Sequence, residues 1–177
     1  MTAMCDRREL LRAALALYDQ SPLVDRAFVR IRAFLSNLLA VEARAPQRGA
    51  LLDIGCGHGL LTNLLALGSP ARKVLGIDID PKKIAAALRT VRGRKNVQFC
   101  VADALSPPGG PYQAITVADV LYLLPAEAQK QVLVQAFRLL EPGGVLLWKS
   151  QVRRPRWKYL ITYGQEWLMS HLGPTTG

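Results

Sequence analysis

The sequence predicts an α/β fold built on a Rossmann-like, doubly wound and mostly parallel sheet, and three observations carry that expectation. Leu51-Leu52-Asp53-Ile54 runs directly into Gly55-Cys56-Gly57-His58-Gly59, and a helical pattern opens at Leu60. That is a buried strand breaking into a glycine turn, where backbone approaches a ligand at positions a side chain would block. Apolar strand-like runs and amphipathic helical runs then alternate, as they do when βα units stack in one parallel sheet. Acids also mark the ends of successive apolar runs: Asp53 before the turn, Asp78 after Val74-Leu75-Gly76-Ile77, and Asp103 after Cys100-Val101-Ala102.

Taken in order, residues 7–18 and about 22–42 carry helical periodicity. In the second stretch Val24, Phe28, Ile31, Leu35, Leu38 and Leu39 share a face, with Asp25, Arg26, Arg30 and Arg32 interleaved. Tyr18 to Pro22 breaks the two apart, and Pro46 to Gly49 leads into a strand over 50–54. The expected order from there is helix 59–67, strand 73–78, helix 81–92, strand 97–102, strand 114–119, helix 126–140 and strand 144–149. Asp80 before Pro81 reads as a helix N-cap with proline at the first helical position. Pro107 to Pro111 reads as a loop and Glu141-Pro142-Gly143-Gly144 as a turn. Arg156 to His171 reads as an amphipathic helix carrying Trp157, Tyr159, Leu160, Ile161, Trp167 and Leu168, and a plain tail follows. The chain is expected to divide into a helical lid over 1–45, a ligand-binding core over 46–150, and a basic, aromatic helix and tail over 151–177.

In a doubly wound sheet, ligands bind beyond the carboxyl ends of the strands where strand order reverses. A glycine turn followed about 20 residues later by an acid at a strand end first suggests a dinucleotide. Two residues oppose that reading. Position 60, where a third glycine belongs, is Leu, and Asp53 would repel a pyrophosphate at the helix N-terminus. A ligand with a cationic amino group and no phosphate suits the site, and S-adenosylmethionine is such a ligand.

Asp53-Ile54-Gly55-Cys56-Gly57-His58-Gly59 resembles the first motif of the class I S-adenosylmethionine-dependent methyltransferases. Val74 to Asp80 is similar to the second motif, Cys100-Val101-Ala102-Asp103-Ala104 to the third, and Ala114 to Leu124 to the fourth. Leu139 to Leu147 resembles the turn and strand that follow. The resemblance implies that Gly55, Cys56, Gly57, His58 and Gly59 lie against the methionine part of the cofactor, and that Asp53 helps hold its amino group. It also implies that Asp78 binds both ribose hydroxyls and Ile79 packs on adenine. Asp103 would accept from the adenine amino group while Ala104 offers its backbone N–H. The reaction product would be S-adenosylhomocysteine. The N-terminal helices resemble lid segments, with Tyr18, Pro22 and Phe28 as candidates for lining an acceptor pocket; plain packing on the sheet is the alternative. The family's sixth and seventh strands find no counterpart, so the chain is a truncated form, a natural minimal form or one whose strand-five edge a partner covers; C-terminal truncation is the expected case. Such an edge is open to dimerisation.

Composition narrows the partners. One domain is the natural count for 177 residues. No apolar run is long enough to span a bilayer, and charges at Asp6, Arg7, Arg8 and Glu9 argue against a secretory signal. Cys5, Cys56 and Cys100 have neither metal-site nor disulfide spacing, which points to no metal and to the cytoplasm. The net charge of +10 favours anionic partners or is simply a solubilising surface. Lys82, Lys83, Arg89, Arg92, Arg94 and Lys95 read as solvated. Lys149 with Arg153, Arg154, Arg156 and Lys158 reads as the better candidate for substrate contact.

Methyl transfer from a sulfonium is an in-line displacement with a good neutral leaving group, so positioning and water exclusion dominate. Val117 to Pro125 sits where an acceptor enters, and there Asp119 and Tyr122 are the candidates to orient or deprotonate it. Asp119 is also a candidate for cofactor contact. The segment has neither the Asn-Pro-Pro-Tyr form of amino-group nucleic-acid methyltransferases nor a Pro-Cys nucleophile. The expected function is therefore methylation of a small-molecule or lipid-like acceptor. An Arg/Trp-rich segment after strand five is compatible with an anionic membrane surface. An RNA-directed enzyme and a non-catalytic cofactor-binding homologue are the alternatives.

Overall fold

The computed structural model describes residues 7–150; the expected helix over 156–171 and the tail lie outside the described residues. Three helices come first: α1 (Arg7–Ala16), α2 (Leu23–Leu35) and α3 (Leu38–Glu42). The alternating part follows as β1 (Gly49–Ile54), α4 (Leu60–Gly68), β2 (Arg72–Asp78), α5 (Pro81–Leu88), β3 (Val97–Val101), β4 (Tyr112–Ala118), a 3₁₀ turn at Leu121–Leu123, α6 (Ala126–Arg138) and β5 (Leu140–Lys149). The strands form one sheet in the order β3-β2-β1-β4-β5, and every neighbouring pair is parallel. Strands step outward from β1 to β3, and the chain then crosses back to place β4 on the other side of β1. Strand order therefore reverses between β1 and β4. The crevice above their C-terminal ends is where such a sheet takes its ligand.

Alternation along β1 divides the core in two. Leu51 points into a layer with Leu10, Leu64, Leu65, Ile84 and Phe99, built by α1, α4 and α5. Leu52 and Ile54 point into the other, with Ile77, Ile115, Val132 and Ala136, which α6 covers. Helices on both faces explain why β1 and β4 are apolar at nearly every position. Gly76 in β2 is a packing requirement: a Cβ there would lie 2.8 Å from the Phe99 ring and from the Thr62 hydroxyl. Among the described residues, no helix is long and apolar enough to cross a membrane.

The structure departs from the sequence reading mainly at element ends. The helix expected over 22–42 is two helices, because Ser36 takes an extended conformation and its hydroxyl donates to Asp119 Oδ2. A long-range bond to a buried carboxylate outweighs one more turn of helix. The helix expected to reach residue 92 ends at Leu88, with Arg92 in the left-handed region at φ 46°. Strand β4 starts earlier than expected, at Tyr112. Strand β5 starts at Leu140 and carries an irregularity in its pairing with β4 between Tyr112 and Ala114.

One buried ion pair fastens the N-terminal helices to the sheet. Arg72 opens β2 and is wholly buried. Its guanidinium meets Glu42 Oε1 of α3 at 2.7 Å and donates to the carbonyls of Leu65, Ala45 and Pro46. Planar, multiply donating geometry makes arginine the suitable cation for this task. A second polar cluster ties α4 to the turns that follow α1 and α5: Asn63 Nδ2 donates to Tyr18 Oη and Thr90 Oγ1, and Arg94 donates to Asn63 Oδ1. Arg94 is thus part of the packing rather than solvated surface.

Candidate active site at the glycine turn

The turn between β1 and α4 is held open by its own backbone. Gly55, Gly57 and Gly59 have φ of 71°, 57° and 83°, the left-handed region that L side chains avoid. At Gly55 a Cβ would lie 2.6 Å from Val120, and at Gly59 it would lie 2.7 Å from the Phe99 ring. Gly57 differs, since a Cβ there would meet nothing within 4 Å. The turn therefore presents backbone to open space at its middle. Cys56 anchors the loop through its N–H to the Ile77 carbonyl at 2.8 Å. Burial pushes its thiol well up, so it stays protonated and serves as packing.

Three acids stand at or just beyond the carboxyl ends of β1, β2 and β3, each in a different setting. Asp53 is buried at the end of β1 and accepts from the Thr62 and Thr116 hydroxyls at 2.6 and 2.7 Å. Burial raises its pKa, while the two hydroxyls and the charge of Arg32 oppose that shift. Asp78 closes β2, half-buried, and accepts from Gly57 N–H on Oδ2 and Asp80 N–H on Oδ1, at 2.8 and 3.0 Å. One backbone donor on each oxygen fixes the carboxylate plane and leaves each oxygen a further lone pair. Asp103 is exposed beyond β3, with Oδ1 accepting from Leu105 N–H at 2.9 Å. Beside them Ile79 is 68% exposed, a large apolar side chain left uncovered at a strand end, and Ala104 is half-buried.

The N-terminal helices close over the turn. Tyr18 is buried and its hydroxyl donates to the His58 carbonyl at 2.7 Å. Phe28 packs its ring on the His58 imidazole with centroids 4.5 Å apart, and His58 Nε2 lies 3.6 Å from Asp25 Oδ1. Arg89 of the α5 C-cap reaches the same Asp25. Tyr18 and Phe28 thus clasp the turn from above, and Pro22 stands exposed just ahead of α2. His58 Nδ1 is buried with no hydrogen-bond partner, and desolvation lowers the imidazole pKa below 6.5 despite Asp25.

Burial of the His58 ring ties folding stability to pH. The unfolded chain binds the proton more readily, so the neutral ring contributes stability that is complete above the unfolded value and is lost as pH falls through the folded value. Urea unfolding from about pH 7 to about pH 5 is expected to show a falling midpoint, and His58→Gln to flatten that fall. An unchanged slope in the variant would contradict the assignment.

On the far side of the crevice, Asp119 sits at φ 57° just after β4 and is buried. Its carboxylate takes the Lys149 ammonium on Oδ1 and the Ser36 hydroxyl on Oδ2. Lys149, a basic residue that the sequence marks for substrate contact, is thus committed to Asp119; positions 153–158 lie outside the described residues. Tyr122 is half-buried in the 3₁₀ turn that follows. The structure therefore brings Asp53, the glycine turn, Asp78 and Ile79 into one group, with Asp103 and Ala104 beyond the neighbouring strand and Asp119 and Tyr122 across the crevice. Sequence reasoning passed over Thr62, Thr116, Ser36 and Arg32. Thr62 carried a signal, three positions into the helix that the turn opens. Ser36 and Arg32 carried none, because their partners lie more than 80 residues away.

Residues 51–144 match the methyltransferase-domain family. The chain is 35% identical over 133 residues to trans-aconitate 2-methyltransferase of Methylobacterium nodulans, covering 75% of this chain and 49% of that protein. It is 28% identical over 137 residues to the ubiquinone biosynthesis O-methyltransferase of Thiobacillus denitrificans, covering 75% and 57%. The crystal structure of N-methyltransferase NodS from Bradyrhizobium japonicum superimposes with a TM-score of 0.58 at 26% identity, covering 73% of this chain and 74% of that one. The chain spans about half the length of the curated relatives it matches.

Proposed function

The chain belongs to the class I S-adenosylmethionine-dependent methyltransferases, and on that premise we propose that it transfers a methyl group to a small-molecule or lipid-like acceptor. The observation that carries the reading is the placement of Asp53 and Asp78 around a glycine turn whose middle opens onto empty space. A side chain at Gly57 would project into that space. The residues fit the cofactor. Asp53, buried and already held by two hydroxyls, suits its cationic amino group. Asp78, pinned in plane, offers two oxygens to two ribose hydroxyls. Ile79 offers an apolar face to adenine, Asp103 an acceptor to its amino group and Ala104 a backbone N–H. When bound, the cofactor supplies an electrophilic methyl group on a sulfonium.

The protein's own share is positioning. The clasp of Tyr18 and Phe28 on the turn shields it from water, which favours a displacement between neutralising charges. We assign Tyr122 to orienting the acceptor at the end of β4. Asp119 is a positioning residue, since its buried carboxylate is committed to an ion pair with Lys149. Relatives named for trans-aconitate and for ubiquinone biosynthesis support a small-molecule acceptor. Leu123, 50% exposed in the 3₁₀ turn after β4, supports an apolar component. The free thiols of Cys56 and Cys100 suit the reducing cytoplasm that we propose as its compartment.

Two experiments test the reading. Incubation with S-adenosylmethionine labelled in its methyl group, over panels of polycarboxylates, phenols and prenylated phenols, should transfer label to one class; binding of cofactor with transfer to none would make the chain a non-catalytic homologue. Gly57→Val should cost about 1 kcal/mol of stability for a side chain at positive φ. It should weaken cofactor binding at least about tenfold by placing a side chain in the space over the turn. Unchanged affinity would place the ligand elsewhere.

A further inference from the structure

Helix α2 is apolar on two sides. Its inner side faces the crevice: Phe28 and Val29 are buried, Phe28 packs on His58, and Ser36 at the C-cap reaches Asp119. The other side faces solvent, yet it is built from Leu23, Val24, Ala27, Ile31 and Phe34. Leu23, Val24, Ile31 and Phe34 are 76%, 62%, 43% and 80% exposed, and Ala27 is exposed as well. With about 3.6 residues per turn, these five positions fall within about 100° of the helix circumference and form one stripe. Single exposed apolar side chains are ordinary, whereas a contiguous stripe marks an interaction surface.

Arginines border the stripe. Arg26 and Arg30 follow each other at one turn along the side nearest Leu23. Leu11 of α1 lines a shallow cleft with Phe34, Leu35 and Leu39, and Arg7 and Arg12, one turn before Leu11 and next to it, are exposed. The acids of α2 and of the turn before it are already engaged. Asp25 meets Arg89 and lies beside His58. Asp19 meets Arg30 only at 3.8 Å, with both side chains more than half exposed, a pair that contributes little and can give way to another anion. Charge then separates the candidate occupants. A second copy across a twofold axis would set these arginines against their own counterparts. The chain's own segment after β5 brings Arg153, Arg154, Arg156 and Lys158, again of like sign. An anionic bilayer is complementary: its acyl region takes the apolar stripe, and its phosphates take the planar donors of arginine.

We propose that the outer face of α2 docks the chain on anionic phospholipid bilayers, with Leu23, Val24, Ile31 and Phe34 inserted among the acyl chains and headgroup phosphates on Arg26 and Arg30. The inner face of the same helix stays on the glycine turn, so docking brings the crevice to the lipid surface. For the reaction, this rests on the methyltransferase reading above and narrows its acceptor to one that partitions into a bilayer.

Flotation of the full chain with vesicles tests the docking without any cofactor. Wild type is expected to float with vesicles of phosphatidylglycerol and phosphatidylcholine in equal parts, far less with phosphatidylcholine alone, and less as salt rises. Ile31→Ser combined with Phe34→Ser should lower the partition coefficient at least about tenfold and leave Tm unchanged, since both side chains are exposed. Arg30→Gln should lower it about fivefold and flatten the salt dependence. Val134→Ser combined with Phe137→Ser, an exposed apolar pair on α6, should leave it within about twofold. Wild-type flotation that the α2 pair does not reduce, or that both pairs reduce equally, would overturn the proposal. So would a wild-type chain that does not float: a dimer dissolved by the α2 pair would then give the face to a second copy, and a Tm lowered by it would give the face to the chain's own segment. Calorimetry with S-adenosylhomocysteine is read separately. No nucleoside binding beside intact flotation would sink the cofactor reading and leave the docking surface standing.

Discussion

Replacing Asp78 with Ala is expected to weaken S-adenosylhomocysteine by roughly two orders of magnitude or more. Each hydrogen bond from a ribose hydroxyl to an ionised carboxylate contributes about 1.5–3 kcal/mol, and two are lost together, which corresponds to about 100-fold or beyond. A further effect adds to this one. Asp78 also accepts from the N–H groups of Gly57 and Asp80, so its removal loosens the turn against which we place the ligand. Asp78→Asn should fall between the two, because the amide keeps one acceptor oxygen and the shape of the side chain. Calorimetric titration of both variants, with circular dichroism to verify the fold, measures this directly. An Asp78→Ala affinity within about twofold of wild type, a shift of roughly 0.5 kcal/mol, would mean the ribose lies elsewhere.

The largest effect on folding belongs to Arg72→Ala. The substitution strands Glu42 as a buried carboxylate without its cation and leaves the carbonyls of Leu65, Ala45 and Pro46 without their shared donor. Breaking one side of a buried pair costs about 3–5 kcal/mol, a shift in Tm of roughly 6–20 °C for a chain of this size. Replacing both partners, Glu42→Leu with Arg72→Met, removes the stranded charge and should recover part of the loss. A double variant as unstable as Arg72→Ala would show that the carbonyl contacts, not the ion pair, carry the cost. Because α3 hangs on this pair, the single variant should also loosen the clasp over the glycine turn, and cofactor affinity is expected to fall with stability.

The sheet and the carboxyl edge of its strands were legible because their signals are local. A strand that runs into Gly55-Cys56-Gly57 declares its turn through backbone chemistry, and acids at the ends of apolar runs declare the edge on which they stand. The N-terminal region was less legible for the opposite reason. Periodicity saw one helix over 22–42, and nothing nearby in sequence reveals that Ser36 leaves the helix to reach Asp119. In the same way Asp119 reads as a free acid near the acceptor, whereas the fold gives it to Lys149 and Ser36. Arg94 reads as surface charge, yet it joins Asn63 and Thr90 inside the helix layer. Arg32, whose place is fixed only by the way α2 lies across β4, was indistinguishable from its neighbours Arg26 and Arg30.

We infer a ligand that lies across the carboxyl ends of β1, β2 and β3 with its charges and hydroxyls matched to the acids there. A crystal structure of the chain with S-adenosylhomocysteine tests that most directly. The ribose hydroxyls should lie on Asp78, the adenine against Ile79 near Asp103, and the amino group beside Asp53, over the open face of Gly57. A nucleoside bound away from Asp78, or a pyrophosphate-bearing dinucleotide taken up at the turn in its place, would contradict it.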